Sequence, residues 1–317
     1  MRLPHDGSPY FLLYFYACLS HMLPMPKEPK IQNRASHAAT PQIFSPKKLK
    51  LAQARARKRR AKLTAPQFLF ERVAQDMADR IVMINRQFQS ALLIAPEGFE
   101  TRLNAYIPTD KQPQKWLSTP LSNLGPNLKD KDPFDLILIA FSHHTENDPV
   151  GLFKALSSFM VADSHIITVC LGGESLSQLR QAFYSVDQAH YNGVIPRIHP
   201  MIAIQENVLI LANAGFNLTS GDRDRVAVNY RQLTTLISDL RDMGETYKLM
   251  TEQAVQTTRS FWTDVEENLK VANDKIAITY DILWSSGWMP HESQQKPLKP
   301  GSAKFHLSKA FNAKEED

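Results

Sequence analysis

Two continuous apolar runs constrain the fold of this chain more than any other feature of its sequence. Phe134–Phe141 reads FDLILIAF and His165–Leu171 reads HIITVCL, and neither alternates apolar with polar residues over its length. A strand covered by helices on both faces has this character, whereas a strand with one solvent face alternates. A shorter run, ALLIA, occupies Ala91–Ala95. Together the runs predict a sheet buried between two layers.

Helical patterns separate these strands. Asp148–Met160 carries Pro149 in its first turn, Glu174–His190 follows Gly172-Gly173, and Ile202–Ala214 ends at Gly215, where a left-handed cap fits. The order strand, helix, strand, helix predicts an α/β fold whose mostly parallel sheet has helices on both faces. Such sheets bind ligands beyond the carboxyl ends of their strands.

The pattern changes after Gly215. Leu218–Tyr230 mixes charged residues with VAVNY and predicts an exposed antiparallel strand, and helices are expected at about 231–243 and 252–270. Ile276–Leu283 is apolar and predicts a final C-terminal strand. From Ser285 onward the chain is rich in Pro, Lys, Gly and Ser, which is typical of a tail or a wrapped loop.

The positive charge of the chain is concentrated near its start. Residues 1–70 hold 13 Lys and Arg against two acids, whereas the remaining residues are net acidic. Tyr10–Met22 is a short aromatic-rich run with three interpretations: an upstream start codon, an interfacial anchor or a secretion signal. We expect residues 1–41 to be a disordered or mis-started segment, because Pro24–Pro46 has the composition of a linker.

A basic helix is predicted at Ser45–Lys62, SPKKLKLAQARARKRRAK. Ser45 suits the cap and Pro46 the first helical position. The helix contains nine cations and no acid, so it attracts polyanions: an acidic protein surface, anionic lipid or nucleic acid. Specific nucleic-acid binding lacks support, because no aromatic residues are interleaved to stack bases. A solvated basic face is the simplest interpretation. The cations are Lys47, Lys48, Lys50, Arg55, Arg57, Lys58, Arg59, Arg60 and Lys62.

A second, amphipathic helix follows, with Leu69, Val73, Met77 and Ile81 on one face. The expected organisation is a segment 1–41, a helical extension 42–84 with the basic helix, an α/β domain 85–285, and a loop and tail 286–317. No apolar run approaches the about 20 residues that span a bilayer. The two cysteines exclude a disulfide framework, and Cys170 is expected to be a core residue.

Five segments, in order and at matching spacing, resemble the mitochondrial NADH dehydrogenase (complex I) assembly factor 5 family and its bacterial, methyltransferase-like relatives. A more distant likeness is to the carboxyl methyltransferase of biotin synthesis. The segments span about residues 42–310. They are Ile43-Phe44, Leu171–Arg180 (LGGESLSQLR), Asn213–Asn217 (NAGFN), Asp239–Glu245 (DLRDMGE), and Gly287–Gln294 (GWMPHESQ) with Gly301-Ser-Ala303 downstream.

The resemblance implies a Rossmann-like class I methyltransferase fold with S-adenosylmethionine at the end of strand one. It also implies a protein partner, a subunit or assembly intermediate of respiratory complex I. A bacterial protein would then be cytoplasmic or peripheral at the inner membrane, and a eukaryotic one would lie in the mitochondrial matrix. An anionic membrane surface is a further possible partner of the basic helix.

The expected cofactor turn departs from the family pattern. The family has a Leu-Asp-Leu-Gly-Cys-Gly type turn, and the matching stretch here is Leu92–Gly98, LLIAPEG. Glycines in such a turn let the backbone approach the cofactor without a Cβ clash. Ala95 and Glu97 replace both of them, beside Ile94, and the following Gly98 could rescue the turn but not the lost contacts. Cofactor contacts are therefore expected at Ile94, Ala95, Glu97 and Gly98, in a degenerate site.

Chain length points to the same region. About 35 residues separate Phe99 from Phe134, and a helix, strand, helix and strand with their connections need about 45–60. One element after strand one is therefore missing or very short. The missing stretch would normally supply the acid that holds the ribose hydroxyls, and Asp110 is the only nearby candidate.

Histidines supply the remaining candidates for chemistry. His143 and His144 follow the FDLILIAF strand on the expected acceptor side, where His143 could act as a base or simply satisfy loop backbone. Adjacent histidines on an extended segment point in opposite directions, so no metal site is expected. His291 and Glu292 either line the acceptor face or lock a polar turn after the last strand.

The leading interpretation is a methyltransferase-like protein related to complex I assembly factors, with a degenerate cofactor site, that acts through a protein partner. One alternative is an active S-adenosylmethionine-dependent methyltransferase or a related enzyme that modifies protein side chains. Another is a non-catalytic scaffold or peripheral membrane protein.

Overall fold

A sheet in the order β2-β1-β3-β4-β7-β5 organises the computed structural model. Its strands are β1 Ser90–Ile94, β2 Lys115–Thr119, β3 Phe134–Ala140, β4 Met160–Gly172, β5 Asn217–Tyr230 and β7 Lys275–Trp288, with the two-residue β6, Lys270–Val271, paired to β7. The structure describes residues 42–62, 67–128, 132–251, 256–271, 274–295 and 301–302. The predicted segment 1–41 and most of the predicted tail after 295 lie outside these ranges.

The first four strands are parallel, as the apolar runs predict. β1 pairs with β2 and β3, and β3 pairs with β4. All seven residues of β3 are buried, because helices cover both faces of the sheet. The antiparallel C-terminal strand is also confirmed: β7 runs antiparallel to both β4 and β5, so β5 returns parallel to the first four strands.

Helices cover both faces of the sheet. They are α1 Pro46–Arg60, α2 Phe68–Met83, α3 Phe99–Tyr106, α4 Leu124–Leu128, α5 Pro149–Ser157, α6 Ser177–Tyr191, α7 Ile204–Asn213, α8 Leu233–Met243 and α9 Arg259–Leu269. Apolar residues form two cores, one on each side of the sheet. The larger contains side chains from α2, α3, α6, α8 and α9, and the smaller contains side chains from α5 and α7.

The predicted amphipathic face of α2 is the part of that helix that packs on the sheet. Leu69, Val73, Met77 and Ile81 are at most 1% exposed. Full burial of such side chains contributes about 1.5–3 kcal/mol each to folding. On its outer side α2 reaches the edge strand β5 through two ion pairs, Arg72 with Asp224 and Arg80 with Asp222, at 2.7 and 2.6 Å.

The predicted shortening after strand one is confirmed. In the described part of the stretch between β2 and β3, the chain forms only a 3-10 turn at Leu121–Asn123 and the five-residue α4. On the side of β1 away from β3, the described sheet therefore ends at β2.

Two capping predictions are also confirmed. The Ser45 hydroxyl accepts a hydrogen bond from the Lys48 amide with Pro46 at the first helical position, and Gly215 follows α7 with φ +97°. The last strand, by contrast, is longer than predicted. β7 continues to Trp288, five residues past the predicted end of the strand at Leu283. Ser285 is buried, and its hydroxyl hydrogen-bonds the Thr168 hydroxyl of β4 at 2.7 Å.

Within the described ranges, no helix is both long enough and apolar enough to cross a membrane.

Candidate functional site

A cleft with about 980 Å³ of empty space lies beyond the carboxyl ends of β1, β2 and β3. The segments that follow these three strands supply one side, the start of the loop after α8 supplies another, and α1 covers it. The cleft therefore lies where a sheet of this kind is expected to bind a ligand. Its wall includes Ala95, Pro96 and Glu97 after β1, Pro120–Asn123 after β2, Phe141, Ser142 and Thr145 after β3, and Gly244, Glu245 and Lys248 after α8.

Helix α1 is held over the cleft by small residues on its inner face. Ala52 and Ala56 are buried, and a Cβ on Gly244, at the end of α8, would lie 3.5 Å from the Ala56 Cβ. The Ser45 amide donates to the Lys248 carbonyl at 2.8 Å, and the Lys48 ammonium donates to the Leu249 carbonyl at 2.8 Å. The basic helix therefore packs over the cleft through its inner face, a contact that the expectation of a solvated basic face did not include.

The cations of α1 divide into two groups. Lys48, Arg57, Arg59 and Arg60 contact the rest of the fold: Arg59 pairs with Asp242, and Arg60 donates to the Asp242 carbonyl. Burial lowers the pKa of Arg60, whose guanidinium lines the cleft and lies 5.5 Å from the centre of the Phe70 ring. The other cations form no ion pair with any described residue and define a patch that we call the basic patch: Lys47, Lys50, Arg55, Lys58 and Lys62.

Of the four residues predicted in the turn after β1, Ala95 and Glu97 line the cleft, whereas Ile94 and Gly98 are not among its lining residues. The Ala95 amide donates to the Thr119 carbonyl of β2 at 3.3 Å, and Ile94 is fully buried. Gly98 has φ +85°, a conformation that favours glycine, and precedes α3. Glu97 Oε1 accepts a hydrogen bond from Arg57 Nη1 of α1 at 2.9 Å, so this carboxylate is ion-paired across the mouth of the cleft.

Asp110 is not brought to the cleft. It lies in a 3-10 turn ahead of β2, and Gln87, just before β1, donates to the neighbouring Gln112 carbonyl at 3.1 Å. The turn is therefore at the amino ends of β1 and β2. Among the described residues lining the cleft, Glu97 and Glu245 are the only acids.

His291 and Glu292 lie at the same edge as Asp110, away from the cleft. They follow Trp288, which pairs with His165 near the start of β4. His291 Nδ1 hydrogen-bonds the Ser293 hydroxyl at 2.7 Å, and both His291 and Glu292 are exposed. This geometry is that of a polar turn after the last strand.

His143 is buried beside α5 and α7 and does not line the cleft. Its Nε2 atom lies 2.9 Å from Asn207 Oδ1, and its ring makes an edge contact with Phe153. Burial lowers the pKa of His143 to about 4, because the charged imidazolium loses its hydration. The ring is therefore neutral at physiological pH.

Behind the cleft wall, three side chains contact the Glu245 carboxylate: His144, His199 and Lys248. We call these four residues the Glu245 cluster. Glu245 Oε1 lies 3.2 Å from His144 Nε2, and Glu245 Oε2 lies 3.3 Å from His199 Nε2 and 2.9 Å from Lys248 Nζ. All four side chains are at most 5% exposed. The cluster meets the cleft at Glu245 and Lys248.

The charges of the cluster follow from these contacts. Burial by itself would raise the pKa of Glu245, but the Lys248 ammonium and the histidine contacts outweigh it and hold the pKa well below its usual range. Burial lowers the pKa of His144, and the Glu245 carboxylate offsets this only in part. Glu245 is therefore a carboxylate beside a neutral His144.

Sequence reasoning missed Glu245 and Lys248 and gave no role to His199. His199 comes from the loop between α6 and α7, His144 from the turn after β3, and Glu245 from the residue after Gly244. The usable signal was that Glu245 closes DLRDMGE, one of the five segments that carry the family resemblance.

The fold and the position of the cleft define a protein of the Rossmann-like class I methyltransferase class. That fold has a sheet of parallel strands with one antiparallel strand, here β7, between the edge strand β5 and the rest. It also has a cleft at the carboxyl end of β1. No family model matches the sequence.

The chain is similar in sequence to curated proteins that share one name. The chain is 31% identical over 179 residues to the mitochondrial arginine-hydroxylase NDUFAF5 of Danio rerio, covering 55% of each chain. It is 29% identical over 201 residues to the protein of the same name from Dictyostelium discoideum, covering 62% of this chain and 46% of that one. The predicted resemblance to the assembly factor 5 family is thereby confirmed. The chain spans about half the length of these curated relatives.

The chain also resembles solved structures of low sequence identity. The N-methyltransferase NodS from Bradyrhizobium japonicum, in complex with S-adenosyl-L-homocysteine, is 11% identical and has a TM-score of 0.36, covering 77% of this chain and 99% of that one.

Proposed function

We propose that this chain is a methyltransferase-like protein with a degenerate S-adenosylmethionine site, acting through a protein partner in the assembly of respiratory complex I. The observation that carries the proposal is the Arg57–Glu97 ion pair at the mouth of the cleft. It puts a carboxylate and a covering guanidinium where the cofactor's own carboxylate and methionyl chain would pass.

Two further observations support a degenerate cofactor site. The turn after β1 retains Gly98 but carries Ala95 and Glu97, whose Cβ atoms limit the approach of a ligand to the backbone. The segment after β2, where this fold places the acid that binds the ribose, contributes Pro120, Leu121, Ser122 and Asn123 to the cleft. These residues do not fit the cofactor as the fold ordinarily holds it.

Calorimetric titration of the full chain with S-adenosylmethionine and S-adenosyl-L-homocysteine tests this part of the proposal. We expect no binding tighter than about 100 μM, which corresponds to about −5.5 kcal/mol. Tighter binding to either compound would overturn the degenerate site and favour an active methyltransferase. A thermal shift measured with the same compounds provides a second readout.

The proposed partner surface includes the basic patch. Its five side chains are exposed, with Lys50 at the rim of the cleft, while Ala52 and Ala56 hold the inner face of α1 against the fold. Such a patch favours an acidic surface on a subunit or assembly intermediate of complex I, reached in the cytoplasm of a bacterium or in the mitochondrial matrix. An anionic membrane surface is the competing partner.

Charge-removing variants distinguish these partners. We expect Lys47→Ser, Arg55→Ser and Lys58→Ser together to weaken binding to complex I assembly intermediates at least 10-fold, with a reduced salt dependence. Vesicles of anionic and neutral lipid serve as the alternative target. A matched control removes three cations elsewhere, Lys111, Lys154 and Lys275. Equal loss in both triple variants, or binding to anionic vesicles alone, would contradict the proposal.

A second candidate function is the modification of a protein side chain, favoured by the Glu245 cluster. Buried titratable groups at a cleft wall are typical of active sites. The relatives are named arginine-hydroxylases, so arginine is the side chain to test first. Lys50, Arg57, Arg60 and Lys248 line the cleft against two acids, which opposes entry of a free guanidinium. A partner would have to present the arginine, and mass spectrometry of a complex I subunit incubated with the chain would detect its modification.

A further inference from the structure

We propose that His144, His199 and Glu245 form a binding site for a divalent first-row transition metal ion, and that Lys248 closes this site when no ion is bound. The proposal concerns the wall of the cleft behind the expected cofactor position, and it does not depend on whether S-adenosylmethionine binds.

The donor atoms are close enough together to converge on one ion. One ligand atom each from His144, His199 and Glu245 lies within 4.8 Å of the others. His144 Nε2 lies 3.2 Å from Glu245 Oε1, and His199 Nε2 lies 3.3 Å from the second carboxylate oxygen, Oε2. Ligand bonds of about 2.0–2.1 Å in a tetrahedral site place the ligand atoms about 3.3–3.4 Å apart. Binding an ion therefore requires the side chains to move together until all three donors reach it.

The donor types select the class of ion. Two imidazole nitrogens and one carboxylate suit zinc, ferrous iron, cobalt and manganese. Calcium and magnesium prefer oxygen ligands and are disfavoured here. Because three protein donors leave coordination positions vacant, the bound ion would have room for water or another ligand on the cleft side, where Glu245 and Lys248 line the wall.

His199 is oriented as a metal ligand usually is. Its Nδ1 atom lies 3.1 Å from the Pro200 carbonyl oxygen and can only act as the donor there. In a neutral ring, Nε2 then carries a lone pair, and this lone pair faces the lone pairs of Glu245 Oε2. Such a pair of acceptors requires a cation or a proton between them. A hydrogen bond from the second ring nitrogen to a backbone carbonyl is also the common way to orient a ligating histidine.

His144 shows a related feature. Its Nε2 atom faces Glu245 Oε1, and its Nδ1 atom is buried without a hydrogen-bond partner among the described residues. A proton on Nε2 would serve Glu245 but leave Nδ1 as an unsatisfied acceptor, whereas a proton on Nδ1 would leave Nε2 free to bind an ion. The hydrogen bonds of the protein alone therefore do not satisfy this ring.

Lys248 supplies the positive charge when no ion is present. Its ammonium lies 2.9 Å from Glu245 Oε2, and it lines the cleft. An ion bound to the same carboxylate would be repelled by this ammonium at short range. Metal entry therefore has to move Lys248 away from Glu245, and replacing the lysine by an uncharged side chain should favour the ion.

The test is a titration of the untagged, chelator-treated full chain with Zn²⁺ by calorimetry and with Co²⁺ by absorption spectroscopy. We expect one ion per chain. Glu245→Gln and His199→Gln should each weaken binding at least 10-fold, and Lys248→Met should tighten it at least 5-fold. The exposed His291→Gln is the matched control and should bind as the unaltered chain does.

Three results would overturn the proposal: no binding at 1 mM metal, binding unchanged in Glu245→Gln and His199→Gln, or binding lost in His291→Gln. If a ligand variant does not fold, Lys248→Met remains decisive because it retains all three donors. Unchanged metal affinity in that variant would contradict competition between the lysine and the ion. Cofactor titrations are separate measurements, so a failed metal site leaves the proposed function standing, and the reverse also holds.

Discussion

Arg57 of α1 and Glu97 of the turn after β1 form an ion pair across the mouth of the cleft, with Nη1 and Oε1 separated by 2.9 Å. The pair joins two features that are far apart along the chain: a basic helix and the carboxylate of the turn after β1. Each side chain neutralises the other where a class I methyltransferase would expose backbone to its cofactor.

This ion pair should contribute little to stability. The two side chains are 57% and 51% exposed, and exposed pairs are typically worth no more than about 1 kcal/mol. We expect Arg57→Gln and Glu97→Gln each to change the free energy of unfolding in urea by less than about 1 kcal/mol. A larger loss in both variants would show that α1 is held in place chiefly by this contact.

Asp281 of β7 should contribute more to stability, because its carboxylate is fully buried and both of its oxygens accept hydrogen bonds. It accepts hydrogen bonds from Arg225 Nε and Nη2 at 2.7 and 2.9 Å and from the Glu174 amide at 2.9 Å. We expect Asp281→Asn to lower the free energy of unfolding by about 2–3 kcal/mol, since charge-assisted bonds are lost from a buried site.

The control for Asp281 is Asp222→Asn on the neighbouring strand. Asp222 pairs with Arg80, but its side chain is 60% exposed, so its loss should cost less than about 1 kcal/mol. Equal losses in the two variants would contradict the role assigned to burial.

Gly172, the last residue of β4, is required by close packing. A Cβ on Gly172 would lie 2.3 Å from Leu283 Cδ1 and 2.5 Å from the Ile202 carbonyl oxygen. Since backbone as well as a side chain would have to move, we expect Gly172→Ala to lower the free energy of unfolding by about 1–3 kcal/mol. The control is Gly125→Ala in α4, where a Cβ meets nothing within 4 Å. An unchanged melting temperature for Gly172→Ala would show that the turn relaxes freely.

How far the sequence predicts this structure depends on whether a signal is local. Continuous apolar runs identified β1, β3 and β4, because burial on both faces is a property of each strand alone. The end of β7 was missed, since Trp284-Ser-Ser-Gly-Trp288 has the composition of a turn. Its polarity is compensated by a partner that the sequence cannot indicate, the Thr168 hydroxyl bonded to Ser285.

The candidate site illustrates the same limit. Ala95, Glu97 and Gly98 are close enough in sequence to be found by a motif, and the structure places Ala95 and Glu97 at the cleft. His144 and Glu245 are 101 positions apart, in a turn and after a helix end, and no periodicity relates them. A solvated basic face was expected for α1 because cations dominate the sequence of this helix. The alanines at positions 52 and 56, four apart, were the indication of a packed face.

The loss of folding stability at acidic pH should depend in part on His165. This buried residue of β4 has its ring centre 4.1 Å from that of Trp288. Burial penalises the imidazolium and lowers the pKa of His165 from 6.5 to about 4. Between these values the unfolded chain binds a proton that the folded chain does not, so stability falls as the pH falls from 6.5 towards 4. Removing the ring should remove this contribution.

We therefore expect His165→Gln to lose less stability on acidification than the unaltered chain, by about 2 kcal/mol between pH 6.5 and 4.5. Urea unfolding at several pH values measures the difference. His143, also buried, is present in both proteins, so the difference isolates His165. His291→Gln, which removes an exposed histidine, should follow the unaltered chain. If His165→Gln and the unaltered chain lose stability in parallel, His165 takes up its proton without unfolding, and the assignment of its acid sensitivity to burial is wrong.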